Sequence, residues 1–354
     1  MTTIAAGVPL GPLTTLGIGG PAARFATITS VSELQDALAD ARQRREPVLV
    51  LGGGSNVVID DDGFDGLVLH MAIGGIDVAR EGEGVRVTVR AGESWDALVL
   101  RASVEGWAGI ECLAGIPGLV GATPMQNVGA YGQEVGDTIV EVLALDRRTG
   151  AVVRFDRASC AFSYRDSVFR GRDHHIVIGV TFVWKRGEVS APIRYGELAR
   201  ALEITGDDRA PLGVVRETVL ALRRGKGMVV DPADPESRSA GSFFVNPILS
   251  PEALSRVEAR LPGDHEMPRF PAPGGGTKLS AGWLIEHAGF AKGFTRGRVG
   301  ISRKHALALV NRGGATATEL LDFARLLQDG VRARFGVELV REPIVVRARP
   351  SPTE

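Results

Sequence analysis

The sequence predicts an α+β protein built from more than one domain, and three observations carry that prediction. At 354 residues the chain exceeds what one small core organises. Short apolar runs at 48–51, 85–90 and 176–184 have strand character, and they alternate with stretches of helical periodicity at 30–41, 94–102, 213–224 and 316–331. Between them, residues 114–132 carry Gly115, Gly118, Gly121, Gly129 and Gly132 with Pro117 and Pro124, which excludes a regular helix or a central strand.

Taken in order, Ser30-Val-Ser-Glu33 reads as a capping box that opens a helix through Leu34, Leu38 and Ala41. The strand at 48–51 runs straight into Gly52-Gly53-Gly54-Ser55-Asn56, a glycine triplet with two small polar side chains that suits phosphate binding. It lacks the Gly-Lys-Ser/Thr ending of a nucleotide triphosphatase loop and the spacing of the dinucleotide fingerprint. The loose match at 17–22 is interrupted by Pro21 and carries little weight. Strands follow at 67–71 and 85–90, then a helix opened by Ser94 and holding Trp95, Leu98 and Val99, then the glycine-rich stretch. That stretch also carries Ile116, Leu119, Val120, Met125 and Val128, so it is an apolar loop buried against something, with a large cofactor as the expected occupant.

Further strands are expected at 139–145, 152–155 and 176–184, and a helix at 213–224. Residues 230–241, rich in Pro, Asp and Ser, read as a domain junction or an active-site loop. A third unit then begins at Gly241, with a helix at 280–288 and a strand at 306–310. The clearest helix opens with Thr316 and Glu319 and shows Leu320, Phe323, Ala324, Leu327 and Val331 on one face. A strand pair broken at Pro343 closes the chain over 338–348.

Composition narrows the function. Basic and acidic residues nearly cancel, 41 against 42, which argues against nucleic acid or an anionic membrane surface as partner. With two cysteines, Cys112 and Cys160, there is no disulfide scaffold, and with no signal-like start or membrane-spanning run the expected location is the cytoplasm. No metal site is expected, because the histidines lack ligand spacing, and Asp60-Asp61-Asp62 reads as an acidic turn. The remaining residues of chemical interest are Tyr164-Arg165-Asp166-Ser167, Tyr195, Lys226, Ser242 with Asn246, and Glu342. Singly each has an ordinary structural reading, as ion pair, packing ring, turn or exposed residue.

Together they resemble a family. Leu51-Gly-Gly-Gly-Ser-Asn-Val57, the stretch from Ile116 to Gly132, Tyr164-Arg-Asp-Ser167, Gly241-Ser-Phe-Phe-Val-Asn-Pro247, Ala281-Gly-Trp-Leu-Ile285 and Arg341-Glu-Pro343 match in order the motifs of the UDP-N-acetylenolpyruvoylglucosamine reductases, in the class that contains the tyrosine loop. The resemblance covers nearly the whole chain. It implies a two-part FAD-binding domain of the vanillyl-alcohol-oxidase type and a smaller α+β substrate domain: residues 1–75, residues 76–225 with 337–354, and residues 226–336. It implies an oxidoreductase, a cytoplasmic monomer, that uses NADPH and non-covalently held FAD to reduce the enolpyruvyl group of a UDP-sugar in peptidoglycan precursor synthesis.

The site residues follow by the same resemblance. Hydride adds to the alkene, negative charge develops as an enolate, Arg165 and Glu342 stabilise it, and Ser242 supplies the proton. The FAD contacts fall on Gly52, Gly53, Gly54, Ser55, Asn56, Gly115, Pro117, Gly118, Gly121, Gln126, Asn127, Gly129 and Ala130. Tyr195, Lys226, Asn246, Lys304 and His305 fall on the positions that handle the substrate and nicotinamide phosphates. One departure stands out: Phe270 occupies the place where a second tyrosine is expected to close over the diphosphate, and a phenyl ring donates no hydrogen bond. Two other functions compete. A flavin oxidase of the same domain type would lose the Ser-Phe-Phe-x-Asn-Pro and Arg-Glu-Pro pieces, and a non-catalytic sugar-nucleotide sensor would carry no flavin.

Overall fold

The computed structural model describes residues 3–205, 207–261 and 266–349. The chain folds into two compact units, one of residues up to 8, 22–53 and 65–225, the other of residues 9–21, 54–64 and from 226 onward.

The first unit begins with strands β1 (Ala5–Pro9) and β2 (Pro21–Ile28) and helix α1 (Val31–Arg44). The Ser30 hydroxyl accepts from Glu33 N at 3.1 Å to start α1, and Arg45 ends it in the left-handed region at φ 55°. Strand β3 (Val48–Leu51) lies parallel to β4 (Phe64–Met71), Val48 opposite Leu67, in a sheet ordered β1-β2-β4-β3. The crossover between them delivers the glycine triplet at the C-terminal end of β3, where open sheets present backbone to ligands.

Strands β5 (Ile76–Glu81) and β6 (Gly84–Arg90), helix α2 (Trp95–Val104), and strands β7 (Ile139–Asp146), β8 (Val152–Asp156) and β9 (His175–Arg186) form the rest of the first unit with helix α3 (Leu212–Gly225). Their antiparallel sheet runs β8-β7-β9-β6-β5, and Val85, Val87 and Val89 of β6 are buried in strict alternation. One core joins Leu34 and Leu38 of α1 with Leu67 and Leu69 of β4 and with Leu143, Leu145, Ile176 and Ile178 of the second sheet. Under α2 an aromatic row runs from Trp95 to Phe182 to Trp184 to Trp107, with ring centroids 6.1, 4.9 and 5.8 Å apart.

The second unit holds strand β10 (Ser239–Ser242), helix α4 (Pro251–Glu258), the hairpin β11 (Arg269–Pro271) and β12 (Thr277–Leu279), helix α5 (Ala281–His287), strands β13 (Val299–Ile301) and β14 (Ala308–Asn311), helix α6 (Ala317–Phe335) and strand β15 (Ile344–Val346). β10 pairs with β14, and the short strand Val57–Ile59 lies parallel to β15. Helix α6 has both halves of its capping box: Glu319 N donates to Thr316 Oγ1 at 3.1 Å, and Thr316 N to Glu319 Oε2 at 3.0 Å.

Two expected strands change and one was missed. Residues 9–21, 54–64 and 337–349 group with the last third of the chain. The cause is a set of backbone bonds: Thr15 N donates to Gly54 O at 3.1 Å and Asp60 N to Val346 O at 2.9 Å. Leu16, Ile18 and Val58 accordingly enter the core of Phe243, Leu309 and Leu320. The strand pair expected over 338–348 is reduced to β15, since Pro343 offers no N–H and Arg341 makes only an isolated bridge to Phe244. The strand expected from 306 starts at Ala308, because Leu307 N is turned toward His305 Nδ1 at 3.0 Å. Strand β5 was illegible: its side chains are almost all exposed, so no alternation marks it.

The acidic turn expected at 60–62 has a structural use, for Asp61 caps α6 from a distance. Its carboxylate accepts from Ala317 N at 2.6 Å, Thr318 N at 3.0 Å and Thr318 Oγ1 at 2.7 Å. Burial opposes the charge, but the bonds from Thr318 and Ala317 and the nearby Arg298 outweigh it and hold the carboxyl below its ordinary value of 3.8. Because the folded value is depressed, this stabilisation is complete above a pH of about 4 and is lost as pH falls through the folded value. Asp61→Asn should therefore lower stability by about 1 kcal/mol at pH 7. Urea unfolding at successively lower pH should show the variant and the wild type converging.

Candidate functional site

In the first unit, the two glycine stretches meet. A Cβ placed on Gly53 would stand 2.7 Å from the Cα of Gly118, a separation that real side chains do not reach. A Cβ on Gly52 would touch Leu119 and Ala122, and one on Gly121 would stand 2.5 Å from the Cβ of Ala91. Residues 52–53 and 118–121 thus form one surface of close backbone, on which Ile116, Pro117 and Leu119 are half-buried. A cradle of this kind, bare of side chains and edged by apolar groups, fits a large cofactor with a pyrophosphate.

The loop is held from both sides. Toward α2, Trp95 N donates to Gly118 O at 3.1 Å, Val120 N to Glu93 O at 2.9 Å and Gly115 N to Asp96 Oδ1 at 2.6 Å. On the other side, the segment around Tyr164-Arg165-Asp166-Ser167 fastens it at three points. Ser167 Oγ donates to Met125 O at 2.7 Å, Asn127 Nδ2 to Ser163 O at 3.0 Å and Arg165 Nη2 to Gly129 O at 2.7 Å. Arg165 sits in the left-handed region at φ 55°, its guanidinium carbon 5.4 Å from the Tyr164 ring centre, and its carbonyl accepts from Arg170 Nη1 at 2.6 Å. The four-residue motif is therefore an anchor of the glycine loop as well as the carrier of a cation.

Asn127 is the bracket inside this loop. It is 2% exposed at φ 46°, a backbone region that asparagine tolerates. Its amide also donates to Glu134 Oε2 at 2.7 Å, and its Oδ1 accepts from Gly136 N at 2.9 Å. Its side chain is thereby occupied in shaping the loop. Gln126 and Ala130 beside it are half-buried, and Ala130 pairs with Gln133 across a tight turn through Tyr131 and Gly132.

In the second unit, a separate set of expected residues converges. Gly54, at φ 60°, lies so close to Leu13 O and Thr14 Cα that no Cβ could enter. Glu342 N donates to Phe243 O at 2.9 Å, and Val245 N to Val340 O at 2.9 Å, so the segments carrying Ser242 and Glu342 are neighbours although 100 residues separate them in sequence. Asn56 joins them, with Ile344 N donating to Asn56 O at 3.0 Å and Asn56 Nδ2 lying 3.5 Å from Glu342 O. Ser242, Glu342 and Asn56 are all half-buried.

The residues expected to hold phosphates fall in both units. Tyr195, in the first, is 44% exposed and meets the edge of Tyr131, with ring centroids 5.3 Å apart. In the second, Lys226 is half-buried, and Lys304 Nζ reaches Asp234 Oδ2 at 2.7 Å. Asn246 Oδ1 accepts from Ala281 N at 2.9 Å, at the start of α5, and His305 Nδ1 accepts from Leu307 N, so each has one polar atom committed to the fold. Phe270 is exposed on the hairpin, its ring 6.0 Å from Lys278 Nζ.

Sequence reasoning missed a buried polar set beneath Tyr131. Glu111, 1% exposed, accepts from Gly109 N at 2.7 Å and from Gln133 Nε2 at 2.9 Å. Burial lowers the guanidinium of Arg223, against the pull of Tyr131 and Asp96, and burial pushes the Tyr131 hydroxyl up to about 12. One signal was available: Arg223 follows Val215 and Val219 at helical spacing, on the buried face of α3. Among the described residues no group of three or more His, Cys, Asp or Glu is placed to hold a metal, and no helix is long and apolar enough to cross a membrane.

Known proteins resemble both the first and the last parts of the chain. The family model described as "UDP-N-acetylenolpyruvoylglucosamine reductase, C-terminal domain" matches residues 232–346, and the model described as "FAD binding domain" matches residues 22–156. A UDP-N-acetylenolpyruvoylglucosamine reductase from Thermobifida fusca is 50% identical over 350 residues, covering 98% of both chains. One from Streptomyces coelicolor is 52% identical, covering 96% of this chain and 89% of the other. The crystal structure of the reductase from Thermus caldophilus superposes with a TM-score of 0.66 at 26% identity, covering 98% of this chain and 99% of that one.

The anchoring of the glycine loop can be measured directly. Asn127→Ala removes three hydrogen bonds, one of them buried, and leaves an alanine in the left-handed region, and should cost about 3 kcal/mol. Chemical denaturation should show the loss, with the m-value unchanged.

Proposed function

Since this chain belongs to the UDP-N-acetylenolpyruvoylglucosamine reductase family, we propose that it reduces the enolpyruvyl group of UDP-N-acetylglucosamine-enolpyruvate to UDP-N-acetylmuramate, a step of peptidoglycan precursor synthesis, with FAD as resident cofactor and NADPH as hydride donor. The observation that carries this reading is the pairing of two features in one chain. One is the bare-backbone cradle of Gly53 and Gly118; the other is the hydrogen-bonded juxtaposition of the Ser242 and Glu342 segments. A flavin oxidase needs only the first, and a non-catalytic sugar-nucleotide sensor needs neither the flavin cradle nor the acid.

The residues present fit the cofactor. Gly52, Gly53 and Gly118 would hold the FAD pyrophosphate on backbone amides, with Gly54, Ser55, Asn56, Gly115, Pro117, Gly121, Gln126, Asn127, Gly129 and Ala130 completing the contacts. Bound FAD supplies a non-covalent hydride carrier between NADPH and the alkene. The remaining work belongs to side chains. The Arg165 guanidinium, a planar cationic fork bonded to Gly129 O, would stabilise the carboxylate on which the enolate charge develops. The Ser242 hydroxyl donates the proton that completes the new C–H bond and recovers it from a neighbouring lysine or water, and Glu342, when it carries a proton, donates a hydrogen bond to the same oxyanion. Lys226, Tyr195 and Asn246 bind the diphosphates of the two nucleotides, with Lys304 or His305 adding a contact. The reading carries a monomer at work in the cytoplasm with neither nucleic acid nor membrane as partner.

The purified wild-type protein should be yellow and should oxidise NADPH when given the enolpyruvyl sugar nucleotide; no flavin absorbance and no binding of added FAD would overturn the proposal. Gly53→Ala forces a methyl group onto Gly118 and should release most of the flavin on purification, as read from the 450 nm absorbance per chain. Ser242→Ala should leave anaerobic reduction of the flavin by NADPH nearly intact. Its reoxidation by the sugar nucleotide should slow by at least about 1,000-fold. Equal loss in both half-reactions would make Ser242 structural.

A further inference from the structure

The junction at 230–241, read from the sequence as a loop between units of fold, contains a buried carboxylate that the proposed chemistry does not use. Glu236, in the turn Pro235–Ser237, is 5% exposed. Arg312 Nη1 donates to its Oε1 at 2.5 Å, and Arg303 N donates to its Oε2 at 2.8 Å. The Arg312 fork also reaches Ile301 O at 3.0 Å, so the pair ties the turn to the end of β13. Burial penalises the carboxylate, but the bonds from Arg312, Ser302 and Arg303 prevail and hold it below its ordinary value.

What this carboxylate adjoins gives it meaning. A Cβ on Gly227, the residue after Lys226 and one at φ 66°, would stand 3.0 Å from Glu236 O and 3.1 Å from Glu236 Cβ. Arg303, whose amide Glu236 holds, is the residue before Lys304, and Lys304 Nζ is tied to Asp234 of the same turn at 2.7 Å. Two lysines from chain segments nearly 80 residues apart therefore rest on a single turn. A pair of lysines with fixed backbones is suited to a diphosphate, because a long flexible side chain gains from having its backbone held.

We propose that Glu236 is a positioning residue: its carboxylate, clamped between Arg312 and the amide of Arg303 while its backbone packs on Gly227, sets the relative placement of Lys226 and Lys304 and thereby the affinity for the diphosphate-bearing nucleotides. The proposal rests on the reductase reading above. Glu236 touches no reacting group, so its effect should fall on binding and leave the chemical step alone.

The test uses the FAD-loaded enzyme with NADPH and UDP-N-acetylglucosamine-enolpyruvate as probes. Glu236→Gln should raise KM for both nucleotides by about tenfold, keep kcat within about twofold, and keep full flavin absorbance. Lys304→Ala should cost less affinity in the Glu236→Gln background than in the wild type, since the lysine is already misplaced there. Arg312→Lys keeps a charge beside Glu236 but loses the fork, and should give a smaller rise in both KM values; it carries the test if Glu236→Gln fails to fold. Unchanged KM values beside a lowered Tm, or strict additivity with Lys304→Ala, would overturn the positioning role. Absence of NADPH-dependent turnover in the wild type would overturn the reductase reading itself, a result distinct from either.

Discussion

The constraint on which the first unit depends is the approach of Gly53 to Gly118. Two loops from different parts of the chain come within a distance that leaves no room for a side chain on Gly53, and together they present one surface of close backbone. Everything around them serves to keep that approach. Strand β3 delivers one loop at the end of a parallel pair, and the start of α2 takes up the carbonyl of Gly118. The motif from Tyr164 to Ser167 fastens the far side of the second loop, between Met125 and Gly129.

Irregular backbone can be held this firmly only if buried polar groups are matched one to one, because each unmatched group would cost about 1–3 kcal/mol. Asn127 meets that condition with three bonds that close the loop on itself, and Glu111 with Gln133 and Gly109. The second unit solves the same problem with charge: Glu236 and Arg312 neutralise each other inside the fold and hold two neighbouring segments in register. The motif residues consequently have two duties, as Arg165 shows by carrying a cation while its guanidinium bonds the loop backbone.

Much of the fold was legible along the chain. The cap hydroxyls of Ser30, Ser94 and Thr316 all accept from the amide three residues on, as the capping pattern predicts, because this interaction is local. Alternation revealed β6, whose inner face is three buried valines, and concealed β5, whose faces are both wet. The glycine loops were visible as places without side chains. Their contact with each other was not, since nothing in the residues 52–53 points to residue 118. The Arg223 side chain shows the same limit: its helical spacing was readable, but its burial beside Tyr131 depends on a turn 90 residues away.

The amino-acid sequence by itself determined the α+β class, the helices with their caps, the bare-backbone loops and, through the order of its motifs, the family. These properties follow from local sterics, local hydrogen bonds and periodicity, each complete within a few residues. Only the tertiary structure decided that residues 9–21 and 54–64 join the last third of the chain. It alone set the Ser242 segment beside the Glu342 segment, turned Asn127 inward as a bracket, and placed Glu236 against Gly227 and the Arg303 amide. Those outcomes depend on contacts between residues far apart in sequence, where burial and the pairing of polar groups select one partner among many that local preference leaves equivalent.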